Sequence, residues 1–522
     1  MLFNSYAFLL LFLPVVFAGF CLLARSGRAR WTLGWLTLAS LVFYGAWSST
    51  FLALLVGSIV FNHRAACAIA AQAGRRRGGV LLGLVVAADL ALLGVFKYTN
   101  FFIGSVASLT GLQLALLDIV LPVGISFFTF TQIAYLVDVR RGLASDLRFE
   151  RYVLFVTWFP HLVAGPVIHH AQVMPQFDGA CGRTPRSHDV AQGLALFSLG
   201  LAKKVLLADS LAEYASPVFD AAAAGHTPSM PAAWAGALAY ALQLYFDFSG
   251  YSDMACGLSR MFGVRLPINF DSPYRAWNII EFWRRWHMTL SRFLRDYLYI
   301  PLGGNRRGAA RRHLNLMVTM LLGGLWHGAN WTFVLWGAAH GAMLLVNHAW
   351  QSLRLRLGLP VRRRPFGVGR VVGTALTFLA VVVAWVPFRS QDVVSAGRML
   401  AGMTDLASLP SWAAWSQGWL EWPARAWARF LAGHPATLAD LQGAAPWPLL
   451  LLALAVVMFA PSAVRWVGTR AAHIEPGAEA AVPVPRRWRW QPRWPWALLT
   501  GALLGLSLLN LSRVSPFLYF QF

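Results

Sequence analysis

Apolar runs of membrane-spanning length recur from one end of this sequence to the other, near residues 3–23, 31–48, 50–70, 80–97, 118–138, 151–169, 190–208, 231–262, 313–326, 330–350, 370–389, 447–468 and 494–511. A bilayer core of about 30 Å needs roughly 20 apolar residues per helix. Within it, only helices and closed barrels satisfy every backbone amide. The runs are long and unbroken rather than short and alternating, which excludes a β-barrel. With 57% hydrophobic and only 12% charged residues, the expected architecture is all-α, a polytopic membrane bundle of about eleven to thirteen helices. Leu2–Leu23 has no basic stretch before it and no small-residue cleavage site, so it is expected to stay as the first span.

A net charge of +23 would suit a nucleic-acid binder if it formed one face. Instead the cations cluster between spans, at Arg25–Arg30, Arg75–Arg77, Arg140–Arg151, Arg306–Arg312, Arg354–Arg370 and Arg486–Arg493. Cytoplasmic loops carry such clusters, and anionic lipid head groups are their partners. Nucleic acid is not expected as a partner. The first cluster places the N-terminus outside, and the next two then fall inside as well. Cys21, Cys67, Cys181 and Cys256 are scattered and suggest neither a disulfide framework nor a zinc site.

The chain reads as one membrane domain over 1–522, with no internal repeat. Its polar motifs fall within 140–350, the expected catalytic core. Residues 390–445, with tryptophans, prolines and few long apolar runs, read as an extramembrane or interfacial insertion. Residues 469–493 read as a Pro- and Arg-rich loop. Phe159–Pro166 (FPHLVAGP) carries a proline near each end and a glycine, which predicts either a broken, re-entrant segment or a kinked helix.

Three stretches carry candidate chemistry. Gln243–Asp253 (QLYFDFSGYSD) packs Asp247, Asp253 and several hydroxyls into a span. Six residues apart, the two carboxylates lie on different helix faces, so a hydrogen-bond network and direct chemistry both remain open. Over 281–298 (EFWRRWHMTLSRFLRDYL) the periodicity predicts one amphipathic helix. Phe282, Trp286, Leu290 and Phe293 fall in an apolar arc, and Glu281, Arg284, Arg285, Arg292 and Arg295 lie opposite. His287 falls at the edge of the apolar arc, where a structural or a chemical role is open. Tyr299–Asn305 (YIPLGGN) then turns the chain into the basic run Arg306–Arg312, which could hold a polyanion such as coenzyme A or simply anchor a cytoplasmic loop.

Met320–His340 (MLLGGLWHGANWTFVLWGAAH) is the third stretch. It sets His327 in an apolar run among Gly323, Gly324, Gly328, Trp326, Trp331 and Trp336. An ionisable group at membrane depth is a functional candidate, and imidazole titrates near neutrality, which suits a general base. There is no phosphate-binding loop, metalloprotease motif or serine-nucleophile elbow. His169 and His170 are adjacent but have no metal-type spacing to other ligands, and His327 and His340 are thirteen apart, so no metal is expected.

Tyr245–Tyr274 (YFDFSGYSDMACGLSRMFGVRLPINFDSPY), Glu281–Arg306 (EFWRRWHMTLSRFLRDYLYIPLGGNR) and Leu321–Gly341 (LLGGLWHGANWTFVLWGAAHG) together resemble the membrane-bound O-acyltransferase (MBOAT) family. With FPHLVAGP and the terminal PFLYFQF, the chain is most similar to the bacterial alginate O-acetyltransferase branch. Ile280, where a small polar residue is expected, and His161, where Gln is common, depart from that pattern. The resemblance implies a helical bundle with a funnel around a central histidine, His327, and a second conserved polar site at His287. It implies a multi-pass enzyme of the bacterial inner membrane that moves an acetyl group from cytoplasmic acetyl-CoA to an exported, alginate-like polysaccharide. Transfer would be direct or through periplasmic acetyltransferase partners, with acetyl-CoA as donor and no bound cofactor. His327 would be general base, His287 would orient the donor or steady the oxyanion, and Arg284, Arg285 and Arg292 would attract the coenzyme phosphates. The glycines around His327 would admit backbone and acyl chain. A transporter or flippase of a glycan or acyl intermediate is the competing reading, and a scaffold for polysaccharide export is a third.

Overall fold

A computed structural model describes residues 1–358, 367–409, 411, 446–468, 485, 488–511 and 517–518. Among them the elements are all helical, as the apolar runs require. Five helices are long and apolar enough to cross a membrane by themselves: Ala7–Arg25, Ser49–Ala71, Arg76–Lys97, Ser187–Ala223 and Val368–Arg389. Most of the 390–445 insertion and of the 469–493 loop lies outside the described residues, as does most of the terminal PFLYFQF.

The fold divides into two compact units. The first comprises Met1–Leu201, Tyr251–Asn269 and Ala463–Ser512. Its core includes a phenylalanine cluster in which Phe8, Phe12, Phe43 and Phe159 meet ring to ring at 5.5–6.4 Å. Such pairs add about 0.5–1.5 kcal/mol each beyond simple burial. Tyr152, Gln132 and Ser58 form a polar thread through it: the Tyr152 hydroxyl donates to Gln132 Oε1 at 3.1 Å, and Gln132 Nε2 to Ser58 at 2.9 Å.

Two expected spans are shorter here than their apolar runs. Residues 111–124 are not helical, and the helix Ile125–Arg140 starts only at Gly124, whose φ of +74° ends the extended stretch. The helix Phe149–Thr157 stops before FPHLVAGP, which is non-helical and fully buried. The broken reading of that segment therefore holds, and protein surrounds the freed backbone as membrane depth demands. His161 Nε2 contacts the carbonyl of Phe155 at 3.0 Å, and a side chain at Gly165 would collide with the His161 backbone.

The second unit comprises Ala202–Gly250, Phe270–Ser462 and Arg513–Phe522. Its frame is the hairpin of Gly308–His327 and Trp331–Arg356. Glycines let these helices touch: a Cβ on Gly324 would strike the Phe333 carbonyl, one on Gly337 the Met320 carbonyl, and one on Gly341 would lie 2.7 Å from Met317 Sδ. Small residues serve the same end in other membrane helix pairs. Asn330 caps the second helix, accepting from Thr332 N at 3.0 Å, while its Nδ2 donates to the Gln391 carbonyl at 2.8 Å.

One continuous amphipathic helix over 281–298 does not form. The segment is Ile279–Trp283, a break at Arg284–His287, then Met288–Leu294 and a further turn to Tyr299. At the break His287 has φ +43°, the left-handed region that L-residues rarely occupy. The helical wheel fails for this reason. Glu281 and Arg285, expected on the wet face, are both buried and paired, Nη2 to Oε1 at 2.6 Å.

Candidate functional site

His327 is the last residue of Gly308–His327, and His287 sits at the break just described. Though forty residues apart, they come together inside the second unit, ring centroids 6.2 Å apart at 56°. His287 is fully buried and His327 is 7% exposed. Phe248 meets the His287 ring edge-on at 4.8 Å, and Trp336 and Phe388 meet His327 at 5.2 and 5.3 Å. Hydrophobic walls of this kind keep bulk water from a reacting group and strengthen any polar contact within.

A third histidine lies behind Trp336. His340 is fully buried, with Trp336 at 4.8 Å, Trp283 at 5.2 Å, Trp385 at 5.9 Å and Phe282 stacked at 6.1 Å. Neither of its ring nitrogens has a hydrogen-bond partner among the described residues. The thirteen-residue separation from His327 rules out a metal pair on a single helix turn. It does not stop the hairpin from setting both rings against Trp336. Trp385 and Phe388, from Val368–Arg389, also line this cage, and no sequence signal beyond an apolar span marked them.

The three arginines expected at the donor phosphates differ. Arg284 is exposed and Arg292 half-buried. Arg285 is buried against Glu281 and within 3.5 Å of the Asp271 carbonyl, which removes it from any approach path. Arg306 and Arg307 are exposed on the loop that follows and Arg311 is exposed in the first turn of Gly308–His327, while Asn315 Nδ2 pins the loop through the Gly304 carbonyl at 3.0 Å. The space beside Gly323, Gly324 and Gly328 is taken by Leu294 and Phe333, so these glycines serve helix packing rather than room for an acyl chain.

Asp247 belongs to a network. Lys204 Nζ lies 2.7 Å from Asp247 Oδ1 and 2.8 Å from Asp209 Oδ1, and the Leu518 amide donates to Asp247 Oδ2 at 3.1 Å. A lysine inside an apolar span is the signal that would have found this partner. A buried carboxylate held by a lysine and an amide fits the hydrogen-bond-network reading of this stretch.

The profile of the MBOAT, membrane-bound O-acyltransferase family, matches residues 109–379, which include all three histidines. The chain is 42% identical over 434 residues to a peptidoglycan O-acetyltransferase of Helicobacter pylori, covering 78% of this chain and 80% of that protein. This chain belongs to the membrane-bound O-acyltransferase family. It is also similar to the probable alginate O-acetylase AlgI of Pseudomonas aeruginosa, at 45% identity with 77% and 75% covered. A teichoic acid D-alanyltransferase of Streptococcus thermophilus is more distant, at 27% identity over 51% of this chain and 67% of its own. As an MBOAT protein the chain is a polytopic membrane enzyme that transfers an acyl group to oxygen.

Proposed function

We propose that this MBOAT enzyme acetylates an exported, alginate-like polysaccharide across the bacterial inner membrane, with acetyl-CoA as donor and His327 as general base. The His327 imidazole removes the proton from the acceptor hydroxyl, and the oxygen attacks the thioester carbonyl. An N–H of His287 donates to the oxyanion that forms. Collapse breaks the C–S bond, and the proton on His327 passes to the departing coenzyme A thiolate. The negative end of the Gly308–His327 helix dipole faces the positive charge that His327 gains during transfer.

The observation that carries this reading is the convergence of His287 and His327 in one buried aromatic cage. The relatives named as O-acetyltransferases support an acetyl group as cargo. The exposed Arg284, Arg306, Arg307 and Arg311, with the half-buried Arg292, supply the cations for the coenzyme phosphates. The acceptor is either a glycan hydroxyl or a hydroxyl of a periplasmic partner that passes the acetyl group on.

Purified protein given radiolabelled acetyl-CoA and an acceptor glycan should release coenzyme A and label the glycan. His327→Ala should insert and fold yet lose at least about a hundred-fold in rate, the smaller end of what a general base supplies. Glycan movement without thioester cleavage would replace this reading with a transporter, and retained activity in His327→Ala would remove that residue from the chemistry.

A further inference from the structure

The first unit holds a second group of histidines, and nothing in acyl transfer uses it. His169 and His170 follow the broken FPHLVAGP segment, and the fold sets both against Asp138 of the helix Ile125–Arg140. Asp138 Oδ2 lies 2.7 Å from His169 Nε2 and 3.2 Å from His170 Nε2, with the imidazole rings 4.4 Å apart. One ligand atom from each residue falls within 4.8 Å of the other two. Chain spacing hides the set because its carboxylate comes from a different helix.

We propose that Asp138, His169 and His170 bind a single zinc ion or another late first-row divalent metal. In a tetrahedral site with Zn–N and Zn–O bonds near 2.0–2.2 Å, neighbouring ligand atoms stand roughly 3.4 Å apart. The distances of 2.7 and 3.2 Å reach that spacing with shifts of well under an ångström. Asp138 and His170 are buried, while the His169 side chain is 31% exposed, so water can enter as a fourth ligand. Two imidazoles and one carboxylate select nitrogen-loving metals; calcium or magnesium would want a shell of oxygens.

Two neighbours oppose the ion and set its affinity. Arg141 Nη1 stands 3.7 Å from Asp138 Oδ1, with its side chain 39% exposed. His169 Nδ1 accepts a long 3.3 Å hydrogen bond from Ala171 N, at the start of the helix His170–Cys181. Metal on Nε2 moves the imidazole proton to Nδ1, and that cap must then release. Binding therefore exchanges that weak cap and the two Nε2–Asp138 Oδ2 contacts for two metal–nitrogen bonds and one metal–oxygen bond, and it ties the end of Ile125–Arg140 to the start of His170–Cys181.

The test uses full-length protein in detergent without a histidine tag, titrated with zinc against a chelating indicator and with cobalt followed by its visible absorption. One equivalent should bind at micromolar or tighter Kd, zinc should raise the melting temperature, and cobalt should give the absorption of a four-coordinate site. Asp138→Asn and His170→Gln should each weaken binding at least ten-fold. His169→Gln, at a half-exposed position that leaves packing intact, should do the same, whereas His327→Ala should bind like wild type. Equal zinc uptake by wild type and His169→Gln, or none by wild type, would overturn the proposal.

Discussion

His169 and His170 meet a carboxylate near helix ends, whereas His287, His327 and His340 meet indole and phenyl rings inside a helical cage. Within each unit the same side chain is thus given a different task by its surroundings. Beside the imidazoles stands the Asp138 carboxyl group, with Arg141 close by and the Asp146, Arg148 and Arg151 ion pairs on the adjoining loop and helix. Around His327 the neighbours are ring edges and faces of Trp326, Trp336 and Phe388. The difference teaches that burial alone does not set a histidine's role: His170 and His327 are about equally buried and each lies beside a second imidazole, but the first pair meets a carboxylate and the second aromatic rings.

Substitution at His287 breaks the comparison most sharply. His287→Ala should reduce kcat by about a hundred-fold or more, the scale of a lost oxyanion donor, and it also places a Cβ residue without polar compensation in left-handed backbone. His287→Asn separates the two effects, since Asn tolerates that conformation. It should fold at wild-type levels and recover part of the rate in an acetyl-transfer assay. If His287→Ala and wild type turn over equally, the pair is packing and His327 acts without it.

His340→Phe sharpens the contrast inside the cage. Two unpartnered buried nitrogens are removed, and each such group costs about 1–3 kcal/mol when nothing bonds it. The variant should melt at or above the wild-type temperature and keep kcat within about ten-fold. A hundred-fold loss at unchanged stability would bring His340 into proton handling through Trp336.

Acidification should produce the smallest effect, and it should arise in the charged region. Hydrogen bonding from Arg148, helped by Arg151, holds Asp146 down from the usual 3.8 to about 2. A depressed carboxylate stabilises the fold above its unfolded pKa, near 4, and that contribution drains away as pH falls towards 2. The melting temperature of wild type should therefore drop over this window more steeply than that of Asp146→Asn; parallel curves would show that the ion pairs contribute nothing measurable.

Much of this was legible in the residues. Apolar run length and basic clusters gave the all-helical membrane class, and motif resemblance singled out His287 and His327. What stayed hidden has a common physical origin in long-range placement. Periodicity over 281–298 presumes one unbroken helix, and nothing in the residue types announces a left-handed histidine in its middle. The wheel consequently put Arg285 and Glu281 in water, where the fold buries them as a pair. Asp138 is 31 residues from His169 (169 − 138), with the helix Phe149–Thr157 and the buried FPHLVAGP segment between, and Lys204 meets Asp247 only through folding. The Trp336–Trp385 stack at 5.5 Å joins two spans whose sequences record only that both are apolar.

The left-handed backbone at His287 also bears on how this site can change over generations. Most single-nucleotide neighbours of a histidine codon insert a side chain that this conformation penalises, and proline, its φ locked near −65°, is the worst placed. Drift at position 287 is therefore filtered by the backbone before selection on activity begins. The narrow set that passes, chiefly histidine, asparagine, aspartate and glycine, contains three hydrogen-bonding side chains and one that has none. Descendants of this chain that acquire a new acyl group or acceptor are expected to keep one of those three here and to vary the surrounding rings instead.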